Sequence, residues 1–290
     1  MAKLSTVWVF ALTLLLYPHS VSMSQSQSCW EIPFKVEDGW ILVKADIGKL
    51  RGLTFQVDTG CTCSVIDRKI SRKLGLHPGS EEYRLNAFGE IGRAKKVELT
   101  GLHLGRISAG LRCFEADLSA FAVNGFIGLD VLRHMRNVID LETGEAPARK
   151  TLTINFTTGR LQFGQSMELE YIVPLEVDAQ IVVAAGIEGR RLRLALDTGT
   201  KISVLFVGSQ QRWIDALPIV GYFAGTRLQT GYQQKEVRLR NFILGDAKFD
   251  DMSALVSDAR NQPVDGLLSV IQLGPKIIHF DFDRNLMTWK

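Results

Sequence analysis

Alternating apolar and polar positions along the chain predict β-strands as its main secondary structure. Residues 53–57 and 192–196 alternate strictly, which is the period of a half-buried strand. Helical periodicity is limited to residues 66–74 and 130–135, where the pattern predicts short helices. The hydrophobic pattern therefore predicts an all-β fold with a few short helices.

A turn near the middle of the chain predicts a β-hairpin that joins two structural units. Residues 152–156 and 161–163 are strand-like and flank Thr158 and Gly159, a pair typical of tight turns. Residues 142–150, which precede the hairpin, carry Gly, Pro and charge and have no counterpart later in the chain. We interpret this segment, with the hairpin, as the bridge between the units.

The strand pattern occurs twice in the same order. Five segments of the first half match segments of the second half at an offset of about 140 residues. The matched pairs are residues 32–37 with 173–178, 55–60 with 194–199, 97–105 with 237–245, 125–128 with 266–269, and 138–142 with 279–283. This repeat predicts a duplicated unit of about 120 residues and hence two equivalent lobes. We place the lobes at residues 23–165, including the bridge hairpin, and 166–290.

The composition is that of an ordinary globular protein and narrows the classes of function. Of the 290 residues, 46% are hydrophobic and 22% are charged, which argues against a disordered, collagenous or multi-span membrane protein. The formal net charge is +3, from 34 basic and 31 acidic residues. A charge this close to neutral gives no reason to expect nucleic acid as a partner.

The first 22 residues have the pattern of a signal peptide. Lys3 precedes an apolar run at residues 7–17, and Ser20 and Ser22 place small residues before a cleavage site. The run is shorter than the roughly 20 apolar residues of a spanning helix, so no stable membrane span is expected after cleavage. An uncleaved anchor is the alternative. We expect an exported protein, periplasmic or secreted, and the short signal favours a bacterial periplasm.

Four cysteines, Cys29, Cys61, Cys63 and Cys113, are compatible with disulfide bonds in an exported protein. Four cysteines allow three pairings, and the sequence does not distinguish among them. Cys61 and Cys63 are too close for the usual zinc-ligand spacing, and no histidine cluster accompanies them. We therefore predict cysteines that are structural or free, with one bridge favoured over none, and no metal.

Each half carries an Asp-Thr-Gly triplet directly after its alternating strand: Asp58, Thr59 and Gly60, then Asp197, Thr198 and Gly199. In such a turn the carboxylate points outward, the glycine permits close backbone approach, and the threonine hydroxyl can bond the partner turn. Two such turns related by a pseudo-twofold axis bring the carboxylates face to face, where the pair shares a proton. One member can then act as a base towards water while the protonated one polarises a carbonyl group.

With these motifs the chain resembles the pepsin and retropepsin-like aspartic proteases, in the form that carries both lobes in one chain. The family signature, strand-Asp-Thr-Gly-x-x-x-x-Val/Ile, matches residues 55–66 and 194–205. The family's apolar-apolar-Gly element matches residues 126–128, whereas the second copy, residues 267–269, ends in Ser269. The resemblance covers residues 32 to 289.

The resemblance implies the bilobal acid-protease fold, two pseudo-twofold-related β-barrel-like lobes, and an aspartic endopeptidase that acts on an extended polypeptide. Asp58 and Asp197 would be catalytic, and the threonines and glycines of both triplets would support the catalytic loops. It implies no cofactor, and a monomer is expected because both halves are already present in one chain, which disfavours a single-lobe protease that must dimerise. The alternative is a catalytically silent peptide-binding protein of the same fold, a hypothesis supported by Ser269 and the unusual Cys61/Cys63 pair.

A glycine-bearing hairpin that closes over the substrate is expected between the triplet and the apolar-apolar-Gly element. Residues 86–92 fit this hairpin, and Phe88, Gly89 and Gly92 are its candidate substrate-binding residues. The second half offers residues 222–226 or 229–232 for the same role. Two ordinary surface hairpins are the alternative. A substrate below such flaps would pair its backbone with strand edges.

Overall fold

The computed structural model describes residues 30–290, apart from residues 88–89, 135–137 and 228–229. The predicted signal segment, Cys29, Phe88 and Gly89 lie outside the described residues. Strands dominate the described chain and its helices are short, so the predicted all-β class is confirmed. No helix in this part of the chain is both long and apolar enough to cross a membrane.

The first half contributes strands β1 to β9 and the short helices α1 and α2. The strands are β1 (Trp30–Glu37), β2 (Trp40–Ile47), β3 (Leu50–Val57), β4 (Val65–Asp67), β5 (Glu82–Ala87), β6 (Glu90–Leu104), β7 (Ile107–Ala116), β8 (Gly125–Ile127) and β9 (Val138–Asp140). The helices are α1 (Arg68–Lys73) and α2 (Leu129–Leu132).

The bridge and the second half contribute strands β10 to β24, helix α3 and short 3₁₀ helices. The strands are β10 (Thr151–Asn155), β11 (Arg160–Phe163), β12 (Tyr171–Pro174), β13 (Glu176–Val177), β14 (Ile181–Ile187), β15 (Arg190–Asp197), β16 (Ser203–Phe206), β17 (Ile219–Arg227), β18 (Thr230–Leu239), β19 (Phe242–Leu244), β20 (Ala247–Phe249), β21 (Met252–Ser257), β22 (Gly266–Ser269), β23 (Ile277–Asp281) and β24 (Leu286–Trp289). Helix α3 is Gln211–Ala216, and the 3₁₀ helices are Gly208–Gln210 and Ile271–Leu273.

Both halves repeat one arrangement of strand pairs, as the sequence repeat predicts. Strand β3 runs parallel to β8 and pairs Val57 with Ile127, and β15 runs parallel to β22 and pairs Leu196 with Leu268. The parallel pair β4–β7 recurs as β16–β21, and the antiparallel pair β4–β8 recurs as β16–β22. The chain is therefore bilobal. Strand β3 of the first lobe and strand β15 of the second are equivalent, and so are the ends of these two strands.

A sheet shared by both halves joins the lobes. Its strand order is β12-β24-β23-β10-β11-β1, so it takes strands from both ends of the described chain and from the bridge hairpin. One face carries Leu152, Phe163 and Phe280, which belong to a continuous core with buried residues of both lobes. We call these strands the joint sheet. It crosses the predicted lobe boundary at residues 165/166, because β10 pairs with β23 of the second half.

The predicted short helices are present, but the first is shorter than its pattern suggested. Residues 66–67 belong to β4, and helix α1 begins at Arg68 because the Asp67 carboxylate caps it, accepting a hydrogen bond from the Lys69 amide at 2.8 Å. Helix α2 is Leu129–Leu132, so it begins one residue before the segment predicted at 130–135 and overlaps it only at 130–132, and residue 135 lies outside the described residues. The bridge hairpin is also confirmed, since β10 pairs antiparallel with β11.

Candidate active site

Two equivalent strand ends place Asp58 and Asp197 between the lobes. The Val57 side chain is buried in the core at the end of β3, and the Asp58 amide then donates to the Ile127 carbonyl of β8 at 3.0 Å. In the second lobe, Asp197 ends β15 and pairs with Ser269 of β22, and its carbonyl accepts from the Val270 amide at 3.2 Å. Each aspartate thus lies at the end of its strand, directly after a buried apolar residue.

The two carboxyl groups face each other, because the triplet glycines leave the space between the turns open. A Cβ atom at Gly60 would lie 2.6 Å from Cγ of Asp197, and a Cβ at Gly199 would lie 2.6 Å from Cγ of Asp58. Such contacts are shorter than carbon atoms tolerate, so only glycine allows this approach. Each carboxyl thus lies against the glycine of the opposite turn, and the two are close enough to change each other's pKa.

Backbone amides of each turn hold the carboxylates in place. The Gly60 and Cys61 amides donate to Oδ1 of Asp58 at 2.9 and 3.0 Å, and the Gly199 amide donates to Oδ1 of Asp197 at 2.6 Å. These bonds fix the inner oxygen of each carboxylate. They also favour the ionised form and so oppose the effect of burial.

Burial raises the pKa of both aspartates. Loss of hydration raises the pKa of Asp58 to about 6, although the amides of Gly60 and Cys61 lower it. Loss of hydration, followed by repulsion from Asp58, raises the pKa of Asp197 well above its usual range. The two groups titrate as a pair, and one proton is shared between them above about pH 6. This is the ionisation state that an acid–base pair requires.

The two threonines of the triplets tie the turns together across the lobe interface. The Thr59 hydroxyl donates to the Leu196 carbonyl at 2.9 Å and accepts from the Thr198 amide at 3.1 Å. The Thr198 hydroxyl donates to the Val57 carbonyl at 2.7 Å and accepts from the Thr59 amide at 3.0 Å. Both side chains are fully buried. These reciprocal bonds, which we call the threonine clasp, fix the distance between the carboxylates.

A second layer of hydrogen bonds supports the loop that carries the first triplet, residues 58–60. The Ser64 hydroxyl donates to Oδ1 of Asp130 at 2.7 Å and accepts from the Gly128 amide at 3.0 Å. The Cys61 carbonyl accepts from the Leu129 amide at 2.9 Å. A side chain at position 128 would collide with this loop, because a Cβ there would lie 2.8 Å from the Cys61 carbonyl oxygen.

The second loop has the same support with different residues, and Ser269 is part of it. The Ser203 hydroxyl donates to Oε1 of Gln272 at 2.7 Å and accepts from the Ser269 amide at 3.1 Å. The Ser269 hydroxyl donates to the Thr200 carbonyl at 2.7 Å. It therefore bonds the carbonyl equivalent to that of Cys61. In the first loop a backbone amide, that of Leu129, donates to this carbonyl; in the second loop the Ser269 hydroxyl donates to it instead.

Sequence reasoning missed three supporting side chains: Gln56, Asp130 and Gln272. Asp130 and Gln272 play the same role but lie 142 positions apart, outside the matched segments, and their residue types differ. A search for the partner of the repeated serine, Ser64 with Ser203, would have been the available signal. Gln56 has no polar counterpart, because Ala195 occupies its place in the second lobe.

The cysteines of the first loop are thiols without a disulfide. Cys61, Cys63 and Cys113 are free in the described structure, so a predicted bridge among these three is wrong, and Cys29 lies outside the description. The Cys61 thiol donates to the Cys63 carbonyl at 2.8 Å, and burial raises the pKa of Cys61 well above its usual range. Burial likewise raises the pKa of Cys113 to about 12. Within the described residues, no group of three His, Cys, Asp or Glu side chains is arranged to hold a metal ion.

Each lobe carries a hairpin at the place predicted for a flap. Strands β5 and β6 pair antiparallel, with Leu85 opposite Gly92 and Ala87 opposite Glu90, so Gly92 lies within the hairpin strand. In the second lobe, β17 and β18 form the corresponding hairpin, with Arg227 opposite Thr230. Phe88 and Gly89 lie outside the described residues. A closing role for either hairpin remains a prediction.

Comparison with protein-family models and with curated proteins gives no match to this chain. Among solved structures, basic 7S globulin from soybean is similar, with 12% sequence identity and a TM-score of 0.46. The alignment covers 90% of this chain and 94% of that chain.

Proposed function

We propose that this chain is an aspartic endopeptidase of the pepsin and retropepsin-like type, with Asp58 and Asp197 as its catalytic pair. The single observation that carries the proposal is the placement of the half-buried Asp58 carboxyl and the buried Asp197 carboxyl, each against the glycine of the opposite turn, with the turns tied by the threonine clasp. Two carboxyls brought together at this cost in hydration are a common sign of acid–base catalysis. The fold alone would not support this conclusion, because one fold serves many functions.

The difference between the two aspartates gives each a role in hydrolysis. Asp58 has the lower pKa of the pair and is the ionised member that takes a proton from the attacking water. Asp197 is the protonated member and donates a hydrogen bond to the carbonyl oxygen of the scissile peptide. As the water oxygen bonds to the carbonyl carbon, the Asp197 proton passes to the carbonyl oxygen, which gives a tetrahedral diol. Asp58 then transfers its proton to the leaving nitrogen while a diol hydroxyl returns a proton to Asp197, so the C–N bond breaks and both aspartates regain their starting states.

The proposed substrate is a polypeptide bound in an extended conformation between the lobes. In the hairpins β5–β6 and β17–β18, strands β5 and β17 lie at the edges of their sheets. An edge strand can pair with the backbone of an extended chain. Backbone pairing alone does not select a sequence, so side chains around the cleft would set the cleavage preference. We further propose an exported monomer whose signal segment is cleaved after residue 22, which N-terminal sequencing of the mature protein can check.

Hydrolysis of denatured casein across pH 3 to 8 tests the proposal, with Asp58→Asn and Asp197→Asn as the decisive variants. We expect cleavage by the natural chain and a loss of at least about a thousandfold in each variant, because neither remaining group can supply both proton transfers. Circular dichroism verifies that both variants fold. Casein binding without cleavage by the natural chain would instead support the silent peptide-binding protein. Near-normal turnover in either variant would refute the assignment of the pair.

A further inference from the structure

The alternation of strand β3 turns Gln56 away from the core of its own lobe. Its neighbours Phe55 and Val57 both belong to the core cluster, so the side chain between them points to the opposite face. Gln56 is nevertheless only 2% exposed. A polar side chain on this face, buried to that degree, needs a hydrogen-bonding partner.

The partner is the second catalytic loop. The Gln56 amide nitrogen donates to the Gly199 carbonyl at 3.2 Å, across the lobe interface. Gly199 is the triplet glycine whose own amide donates to Oδ1 of Asp197 at 2.6 Å. A residue of the first lobe thus fixes the peptide unit that follows Gly199. The amide of the same glycine orients a catalytic carboxylate.

This contact breaks the symmetry between the lobes. The residue equivalent to Gln56 is Ala195, which lies in an apolar cluster with Val182 and Val204 and whose side chain cannot donate a hydrogen bond. The carboxylates themselves are held alike, Asp58 by the amides of Gly60 and Cys61 and Asp197 by those of Gly199 and Thr200, so the difference lies in the Gln56 contact. The two loops are therefore held by different means although their triplets are identical.

We propose that Gln56 is a positioning residue that holds the second catalytic loop, and with it Asp197, in the geometry that catalysis requires. The proposal rests on the peptidase function above. Gln56 acts through Gly199 and does not itself transfer a proton. Its removal should displace the loop and lower the rate of the chemical step more than it weakens substrate binding.

Gln56→Met and Gln56→Glu test the role, with Gln162→Met as the matched control. Methionine keeps the length of the side chain but cannot donate to Gly199. Gln162 donates to Glu31 at 2.7 Å in the joint sheet, so its replacement removes a glutamine amide far along the chain from either triplet. We expect Gln56→Met to lower kcat about 10- to 100-fold with KM changed less than about threefold, and Gln162→Met to leave both unchanged.

Gln56→Glu separates hydrogen bonding from simple packing. A glutamate can donate to the Gly199 carbonyl only when its carboxyl is protonated. The activity of Gln56→Glu relative to the natural chain should therefore rise as the pH falls, whereas the relative activity of Gln56→Met should not follow this trend. A packing role would give Gln56→Glu no such recovery in acid.

A readout that does not need turnover keeps this inference separable from the peptidase function. The pH dependence of the unfolding free energy reports the ionisation of the aspartate pair. In Gln56→Met the Gly199 amide should stabilise the ionised Asp197 carboxylate less well. The midpoint of this pH dependence should therefore rise by about half a pH unit. If the natural chain cleaves nothing and Gln56→Met still shifts the midpoint, the peptidase function fails and the positioning role stands. The role would be overturned if Gln56→Met kept the kcat and the midpoint of the natural chain. It would also be overturned if Gln162→Met lost as much kcat as Gln56→Met.

Discussion

The threonine clasp provides the sharpest test of how the lobes are held, and it does not depend on the proposed activity. Thr59→Val keeps the shape of the side chain but removes its hydroxyl. The Leu196 carbonyl then loses its donor and the Thr198 amide loses its acceptor, in a place with no exposure to water. Each buried group left unsatisfied costs about 1–3 kcal/mol. We therefore expect the unfolding free energy to fall by about 2–6 kcal/mol.

Thr59→Ser is the matched control, because it keeps the hydroxyl and loses one buried methyl group. It should cost about 1 kcal/mol, the value of the lost apolar contact. Urea unfolding followed by tryptophan fluorescence measures both variants. Thr198→Val should lose as much as Thr59→Val, and the double variant should be non-additive because the residues are in contact. If the free energies of unfolding of Thr59→Val and Thr59→Ser differ by less than about 0.5 kcal/mol, the buried hydrogen bonds of the hydroxyl do not contribute the stability expected here.

Two further predictions concern the aspartate pair and the support beneath it. Because the folded pKa of Asp58 is raised from 3.8 to about 6, the folded chain retains a proton that the unfolded chain releases. This group's contribution to stability is therefore greatest below pH 4 and falls by about 3 kcal/mol as the pH rises through 6; activity rises over the same window as the base ionises. Asp58→Asn should reduce the fall, and a pH-independent difference between variant and natural chain would contradict this sign. Ser269→Ala removes the donor to the Thr200 carbonyl and should cost about 1–3 kcal/mol in urea unfolding, whereas an unchanged midpoint would show that this carbonyl finds another donor.

The sequence was sufficient for the parts of the molecule that depend on local pattern and on the repeat. Alternation located the strands that end at Asp58 and Asp197, and the common offset predicted that the two would meet. The length of helix α1 was overestimated, because Ile66 suits the helical pattern but pairs with Glu115 in a buried parallel ladder. Tertiary pairing there prevails over local periodicity.

Contacts between residues far apart in the chain could not be predicted from pattern. The Gln56 bond to Gly199 joins positions 143 apart in a register that the repeat does not define. Strand β12 pairs with β24, and nothing in the short segment Tyr171–Pro174 specifies that partner. Both depend on how the two lobes meet, which is fixed by the whole fold.

The joint sheet has a consequence for the order of events during synthesis. Its strands β23 and β24 follow both triplets in the chain, and β10 pairs Thr151 with Asp281. A ribosome must therefore release residues 277–289 before the sheet that unites the lobes can close. Until then β10 lacks its neighbour β23, so the joint sheet is incomplete. The strands that join the two lobes are thus among the last to be synthesised.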